Sequence, residues 1–301
     1  MAYPDATTTT TAAVFIPELW SDEVIAAYKA NLVLAALVTN FNHQGKKGDT
    51  LNLPTPARGA ALEKAANTII DPIQSTETDT SIVIDQHWYY ARLIEDIVTV
   101  QGLDSLRQFY TDDAGYALAT KVDSDLHLVG RVLQGGTDDA TWDAAVIGSD
   151  GSTAYVGTNE AALADPGIRQ MIQTLDDANT PQRDRVMVIP PVSKNTLLGL
   201  ARFTEQAFVG EVGMANSIRN GRLGNIYGTE VFVSTQCPTA TGAARIGLLM
   251  HKSAFALVTQ VDIRMQTQYK QEYLADLMTS DTIYGTGLLR ADAGIAFAVV
   301  A

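Results

Sequence analysis

The chain has 301 residues, a hydrophobic fraction of 46% and a mean hydropathy of +0.03, which are globular values, too rich in apolar residues for disorder and too dilute for a membrane protein. Its 21 Lys and Arg stand against 34 Asp and Glu, a net charge of −13, so it is poorly suited to grip nucleic acid, because phosphate binding needs cationic side chains to displace counterions. One cysteine, Cys237, excludes an intrachain disulfide framework and any paired-cysteine zinc or redox motif, and four histidines leave little for imidazole chemistry. By length the chain reads as about two ordinary domains, or one with large excursions.

The opening MAYPDATTTTTAAVF has no basic stretch followed by an apolar core, so it is read as an extended leader and not as a secretory signal. No apolar run approaches the roughly 20 residues of a membrane span. After Ile16-Pro17, the residues Trp20, Val24, Tyr28 and Leu32 recur every fourth position, predicting a helix whose apolar stripe must dock on something. The turn cluster Gly45-Lys46-Lys47-Gly48-Asp49 then leads into a short strand over Thr50–Pro54.

Residues 55–79 are small and polar with no sustained period, and strand alternation resumes at Thr80–Ile84 and runs into Trp88-Tyr89-Tyr90. Two strands joined by so long a tip predict a hairpin arm projecting from the body, an excursion that compact domains seldom carry without a partner for it. The clearest element follows: Leu103, Leu106, Tyr110, Ala114, Leu118, Val122, Leu126, Val129 and Leu133 keep helical spacing. That is one helix of about 45 Å. Its opposite side carries Asp112, Asp113, Lys121, Asp123 and Asp125, expected to be a solvated or interface face.

Beyond a Gly/Asp/Ser-rich crossing the pattern becomes α/β. A helix is predicted from Asp165-Pro166 through Ile168, Met171, Ile172 and Leu175, a buried strand over Arg185–Ile189, and a helix from Ser193 through Leu197, Leu198 and Leu200. A turn and short strand around Gly221, Gly224 and Gly228 lead into Val231–Ser234, and residues 245–257 and 261–300 read as further strands. No repeat of 20–50 residues appears, which argues against solenoids and propellers.

Catalytic signatures are missing: no GxSxG, HExxH, phosphate-binding P-loop or GxGxxG occurs. The aspartate pairs 112/113, 138/139 and 176/177 read as solvated faces rather than cation sites. The glycines at 221, 224 and 228 read as turn residues, since no helix follows to focus backbone N–H groups on an anion. His87, Trp88 and Tyr89 lie on a strand, whose alternation sends the two large rings to opposite faces, an arrangement suited to packing at an interface more than to a stacking platform. Cys237, with no basic neighbour in the sequence, reads as an inert buried thiol. Arg58, Lys64, Lys46 and Lys47 form the one basic group of an acidic chain, either solvated or set to meet acidic patches on a neighbouring copy.

The order of these elements resembles the major capsid proteins of tailed phages of the Hong Kong 97 type. So do three stretches of local sequence: FIPELWSDEVIAAYKANLVLAALV, GRLGNIYGTEVFVS and QEYLADLMTSDTIYGTGLLRADAGIAFAV. The resemblance covers nearly everything after about residue 13. It implies an α+β fold with an N-terminal arm (1–44), an extended β-hairpin loop (45–92), a peripheral domain with a long spine helix (93–159), an axial α/β domain (160–258), and returning strands of the peripheral domain with the C-terminus (259–301).

The function it implies is a coat protein, not an enzyme, self-assembling through hexamers and pentamers into an icosahedral head that encloses double-stranded DNA without reading its sequence. No cofactor, catalytic residue, metal ligand or membrane is implied. Candidate intersubunit contacts are Trp20, Tyr28, Arg58, Lys64, Trp88 and Tyr89. Portal, scaffolding and cement proteins are the expected partners, and the expected location is the virion, after assembly in the host bacterial cytoplasm. Some members seal the shell with an autocatalytic Lys–Asn isopeptide bond. Here Lys64 lies in the arm but no asparagine follows Asn225, so a noncovalent shell is expected. The rival readings are an encapsulin-like compartment of the same fold, separated by its content, and a cytosolic α/β enzyme, separated by its being a compact small oligomer.

Overall fold

A computed structural model describes residues 32–45, 47–56, 59, 61–70, 77–96, 105–136, 142, 146–158, 160–200 and 224–300. The helix predicted from Ile16 falls almost wholly outside these residues; only its end is described, as α1 (Leu34–Leu37). Among the described residues no helix is long and apolar enough to cross a membrane.

The core is a six-stranded mixed sheet. Its order is β5 (Val146–Ile147), β12 (Gly294–Val299), β9 (Arg245–His251), β6 (Arg185–Ile189), β8 (Thr229–Val233) and β7 (Asn225–Ile226). The central strands read RVMVI, RIGLLMH and GIAFAV, apolar on both faces because both faces are covered. Val186, Val188, Ile246, Leu248, Met250, Ala296 and Ala298 point to one side. Met187, Ile189, Leu249, Ile295, Phe297 and Val299 point to the other, against α3 (Asp165–Asp177) and α4 (Pro191–Leu198). Close fit is arranged with glycine. Gly247 lies opposite Phe297 on the neighbouring strand, and a Cβ there would come within 2.5 Å of the ring.

Arg185 ties α3 to β6. Its guanidinium, 4% exposed, donates to Asp176 Oδ1 at 2.7 Å and to the Thr180 carbonyl at 2.6 Å. Of the 176/177 aspartate pair, Asp176 therefore holds an arginine. The glycine reading also holds where it is described: Tyr227 and Gly228, both at positive φ, make the two-residue turn joining β7 to β8.

The first side of the sheet meets the C-terminal end of the long helix α2 (Ser105–Val129), about 37 Å in length, and the turns that follow it. Regular α-structure stops at Val129, and the chain continues as tighter turns over Gly130–Gly135, with Leu133 and Gln134 no longer helical. The glycine at the junction permits close contact: a Cβ at Gly130 would sit 2.7 Å from Leu248 Cδ2. The polar side of α2 differs from expectation. Asp123 and Asp125, expected on a solvated or interface face, are 0% and 9% exposed within the chain itself. Both carboxylates accept hydrogen bonds in the interior. Asp123 Oδ1 takes the Leu34 backbone N–H at 2.9 Å, and Asp125 takes Tyr284 O–H at 2.7 Å and Lys121 Nζ at 2.6 Å.

A second sheet has the order β1 (Thr39–Asn42), β10 (Phe255–Lys270), β11 (Ala275–Leu288) and β4 (Gln86–Glu95). Strands β10 and β11 make one long antiparallel hairpin; the near half of β10 is buried and its far half exposed, whereas β11 is paired with β4 to the hairpin's end and keeps buried residues there. A third, two-stranded ladder is the arm, with β2 (Thr50–Thr55) antiparallel to β3 (Thr78–Val83). Two groupings differ from the expected ones. Alternation runs from β3 toward Tyr90, but the arm ladder closes with the Ile84 N–H on the Asp49 carbonyl at 2.7 Å, and β4 pairs instead with β11. Likewise the stretch 259–301 divides between sheets: β10 and β11 lie in the second, while β12, apolar and buried on both faces, lies inside the first.

Candidate functional site

Among the described residues, the chemistry-bearing side chains do not converge. Two clefts, of about 320 and 380 Å³, lie beside the C-terminal half of α2 and between α1 and the start of β6. The larger is lined by Arg183, Asp184, Glu230 and Lys252, a mixture of signs with no nucleophile beside a base. Among the described residues no group of three metal-ligating side chains occurs. Cys237 is buried, and desolvation pushes its thiol up to about 12, so it stays protonated and unreactive. His127, 1% exposed, is driven below its ordinary value by burial and is neutral, its Nδ1–H donating to the Asp123 carbonyl at 2.8 Å.

What the molecule does present is surface without an internal partner. The described tip of the arm, residues 61–70, is exposed throughout, with Leu62, Ile69 and Ile70 at 68%, 92% and 70%. Lys64 is exposed on the same tip. Root and tip contrast. Ile82 and Ile84 pack with Ala256 and Val258 in a small core of their own, and Gly285 and Gly287 of β11 let the arm backbone approach.

Trp88 and Tyr89 diverge across the second sheet. Trp88 lies on the α2 side, with Lys121 Nζ 4.4 Å from its ring centroid. Tyr89 points the other way and is 75% exposed. On that open face Arg264 grips Asp281 through two bonds of 2.8 Å, and His87 Nε2 lies 3.3 Å from the same carboxylate. The hydrogen bonds from Arg264, with His87 adding to them, hold the Asp281 carboxyl below its ordinary range. Trp20, Tyr28 and Arg58 lie outside the described residues, so Lys64, Trp88 and Tyr89 are the candidates the structure places, and it brings no two of them into one contact.

Sequence reasoning misses two surfaces. Leu62, Ile69 and Ile70 sit inside a loop that reads as polar, although apolar residues in an otherwise solvated tip are themselves a signal. The far half of β10, exposed from Asp262 to Tyr269, reads as a strand, but the sequence does not say which edge it leaves open. Its alternation is visible there; its lack of a neighbour is not.

No protein-family model matches the chain, and no curated protein matches it. Solved structures do, over almost the whole length. A chain from Mycobacterium phage Che8 is 24% identical with a TM-score of 0.76, covering 94% of this chain and 97% of that one. The capsid structure of cyanophage P-SCSP1u is 19% identical at a TM-score of 0.77, covering 97% and 95%. The capsid asymmetric unit of cyanophage Pam1 is 12% identical at 0.75, covering 100% and 99%. The fold is thus α+β and Hong Kong 97-like, the fold of tailed-phage capsid chains.

Proposed function

We propose that this chain is the major capsid protein of a tailed phage, assembling through hexamers and pentamers into an icosahedral head around double-stranded DNA. One observation carries the reading. The similarity to capsid chains runs end to end on both chains, and therefore includes the projecting arm and the long hairpin, which a compact enzyme has no use for. Coat proteins hold a thin shell through such projections, and a symmetric lattice multiplies weak contacts into avidity. The exposed arm tip and Tyr89 are what such contacts require.

In this reading residues 1–44 are the N-terminal arm, 45–92 the extended loop, 93–159 the spine region of the peripheral domain, and 160–258 the axial domain. Within 259–301, β10 and β11 return to the peripheral domain and β12 completes the axial sheet. Lys64, Trp88 and Tyr89, with Trp20, Tyr28 and Arg58, are assigned to intersubunit contact. The chain performs no catalysis. It resides in the virion, is assembled in the host cytoplasm, and meets portal, scaffolding and cement proteins there. The shell is noncovalent, since no asparagine follows Asn225.

Electron microscopy of the purified chain under assembly conditions tests this. Closed shells or hexameric and pentameric capsomers are expected, and a uniform monomer refutes the reading. DNA content separates a phage head from a cargo compartment. A ladder of crosslinked multimers on denaturing gels would overturn the noncovalent shell.

A further inference from the structure

The far half of β10 is an unprotected edge. Strand β1 pairs with it only from Ala256 to Thr259, and among the described residues nothing pairs with its outer side from Val261 to Lys270. Eight consecutive residues, Asp262–Tyr269, are exposed, including Ile263, Met265 and Tyr269 at 42%, 38% and 46%. Natural edges of this length are shortened, covered or studded with lysine, because open backbone groups recruit another strand. This one has no proline, carries charges chiefly at its ends, and pairs regularly with β11 from Arg264 to Lys270, beyond the bulge that follows Val261.

The charges are placed so that the edge complements itself. Consider two copies antiparallel about a two-fold axis at Gln266. Asp262 of each copy then stands opposite Lys270 of the other, Ile263 opposite Tyr269, Met265 opposite Thr267, and Arg264 opposite Gln268. Opposite charges and aromatic–β-branched pairs are the favourable cross-strand combinations. Neighbouring registers are worse: an axis at Arg264 sets two guanidinium groups against each other, and one at Thr267 sets Arg264 against Lys270. An axis at Met265 leaves Asp262 opposite Gln268. From Arg264 onward side chains alternate along the strand, so Met265, Thr267 and Tyr269 share one face and the twinned Met265–Thr267 pairs would bury their apolar members together, while Asp262 and Ile263 lie in the bulge before them. Asp262 accepts the Ile263 N–H with Oδ1 at 2.8 Å, which leaves its second oxygen for the ammonium.

We propose that the outer edge of β10 pairs antiparallel with the same edge of a second copy, centred on Gln266, joining two four-stranded sheets into one of eight strands. The pairing specifies a contact within the shell reading and rests on that reading for its setting. It differs from the contact candidates above in engaging backbone groups and in having a fixed register.

The test is a disulfide. Gln266→Cys places two thiols across the axis, within the separation of about 4.4–6.8 Å between Cα atoms that a disulfide tolerates. Gln268→Cys places them about 14 Å apart by strand rise. Cys237 is buried and gives no background. On mild oxidation under assembly conditions, the Gln266→Cys chain is expected to run as a dimer on a non-reducing gel, at least tenfold faster than Gln268→Cys. Adding Asp262→Lys should slow it severalfold, and adding Lys270→Asp to that should restore it. Absence of the Gln266 dimer, equal yield from Gln268→Cys, or no rescue by the charge exchange overturns the pairing. Shells that form without the dimer reject this contact and leave the capsid reading standing; a chain that gives the dimer but never a shell rejects the capsid reading alone.

Discussion

Gly285 and Gly287 stand two residues apart on β11, so their absent side chains face the same way, toward the root of the arm. A Cβ at position 285 would lie 2.4 Å from the Val83 carbonyl oxygen and 3.0 Å from Ile84 Cα, where ordinary contact begins at 3.4 Å. The shortfall of about 1 Å falls on backbone, which has no rotamer to change. Gly285→Ala leaves the molecule two responses. With the arm docked, overpacking costs about 1–3 kcal/mol. With the arm lifted, Ile82 and Ile84, now 1% and 7% exposed, meet water at about 1.5–3 kcal/mol each.

The cheaper response wins, so Gly285→Ala is expected to lose about 1–3 kcal/mol, with the arm root displaced but attached. Gly287→Ala meets Ile82 Cγ1 at 2.9 Å and Cγ2 at 3.1 Å, both branches of a buried β-branched side chain that is stiff at χ1, and is expected to cost about 1–3 kcal/mol as well. Urea unfolding of the unassembled chain measures both, and hydrogen exchange of the Ile84 amide, which donates to the Asp49 carbonyl, reports the root directly. A Gly285→Ala chain within about 0.5 kcal/mol of the parent, with Ile84 still protected, would refute the clamp.

The same packing argument applies to Gly247, whose Cβ would press on the fully buried Phe297 ring: Gly247→Val is expected to cost at least about 2 kcal/mol, and a neutral urea midpoint contradicts it. Asp123→Ala removes the acceptor of the Leu34 amide and should cost about 1–3 kcal/mol, with faster exchange at Leu34; unchanged exchange there counts against the tether. His127 has a folded pKa below its ordinary 6.5, so its contribution is complete above that pH and is lost as pH falls below it, because the unfolded chain takes up a proton that the folded one refuses. Stability should fall by up to about 1.4 kcal/mol per pH unit there, and His127→Gln should flatten the slope; an equal slope in both chains sinks the assignment.

Much of this fold is legible in the sequence because its strongest signals are local. The all-apolar runs of β6, β9 and β12 can sit only inside a sheet covered on both faces, and the three-four spacing of α2 fixes the helix and its apolar side. What is not legible is pairing at a distance. Alternation in β4 announces a strand but is silent on whether its neighbour is β3, a few residues away, or β11, nearly two hundred away. Asp123 is the sharper case. On the helix it reads as solvated, and only the Leu34 amide, 89 residues earlier in the chain, explains why a carboxylate is buried. The contact candidates follow the same division. Trp88 and Tyr89 announce themselves as large rings in a strand, whereas the β10 edge is defined by the neighbour it lacks.

The net charge of −13 gains meaning from where the cations are. Lys121, Arg169, Arg185 and Arg264 are each bound to an aspartate of the same chain, so a substantial part of an already short supply of cations is committed internally. These pairs sit at particular joints: Arg185 fastens α3 to β6, and Arg264 links β10 to β11 just past the bulge, where β10 becomes exposed. A guanidinium held in a two-bond fork has its donors aimed at the carboxylate and not at a phosphate. Carboxylates outnumber cations in the chain as a whole, so negative charge remains in excess however the pairs are drawn. In the proposed shell, a surface of this kind facing packaged DNA would offer it few counterion-releasing contacts, while the apolar arm tips and backbone edges proposed to join copies would depend on salt only through charge pairs such as Asp262 with Lys270. Such a head would be firm toward itself and loose toward its contents, because apolar and backbone contacts, not free cations, would carry most of its cohesion.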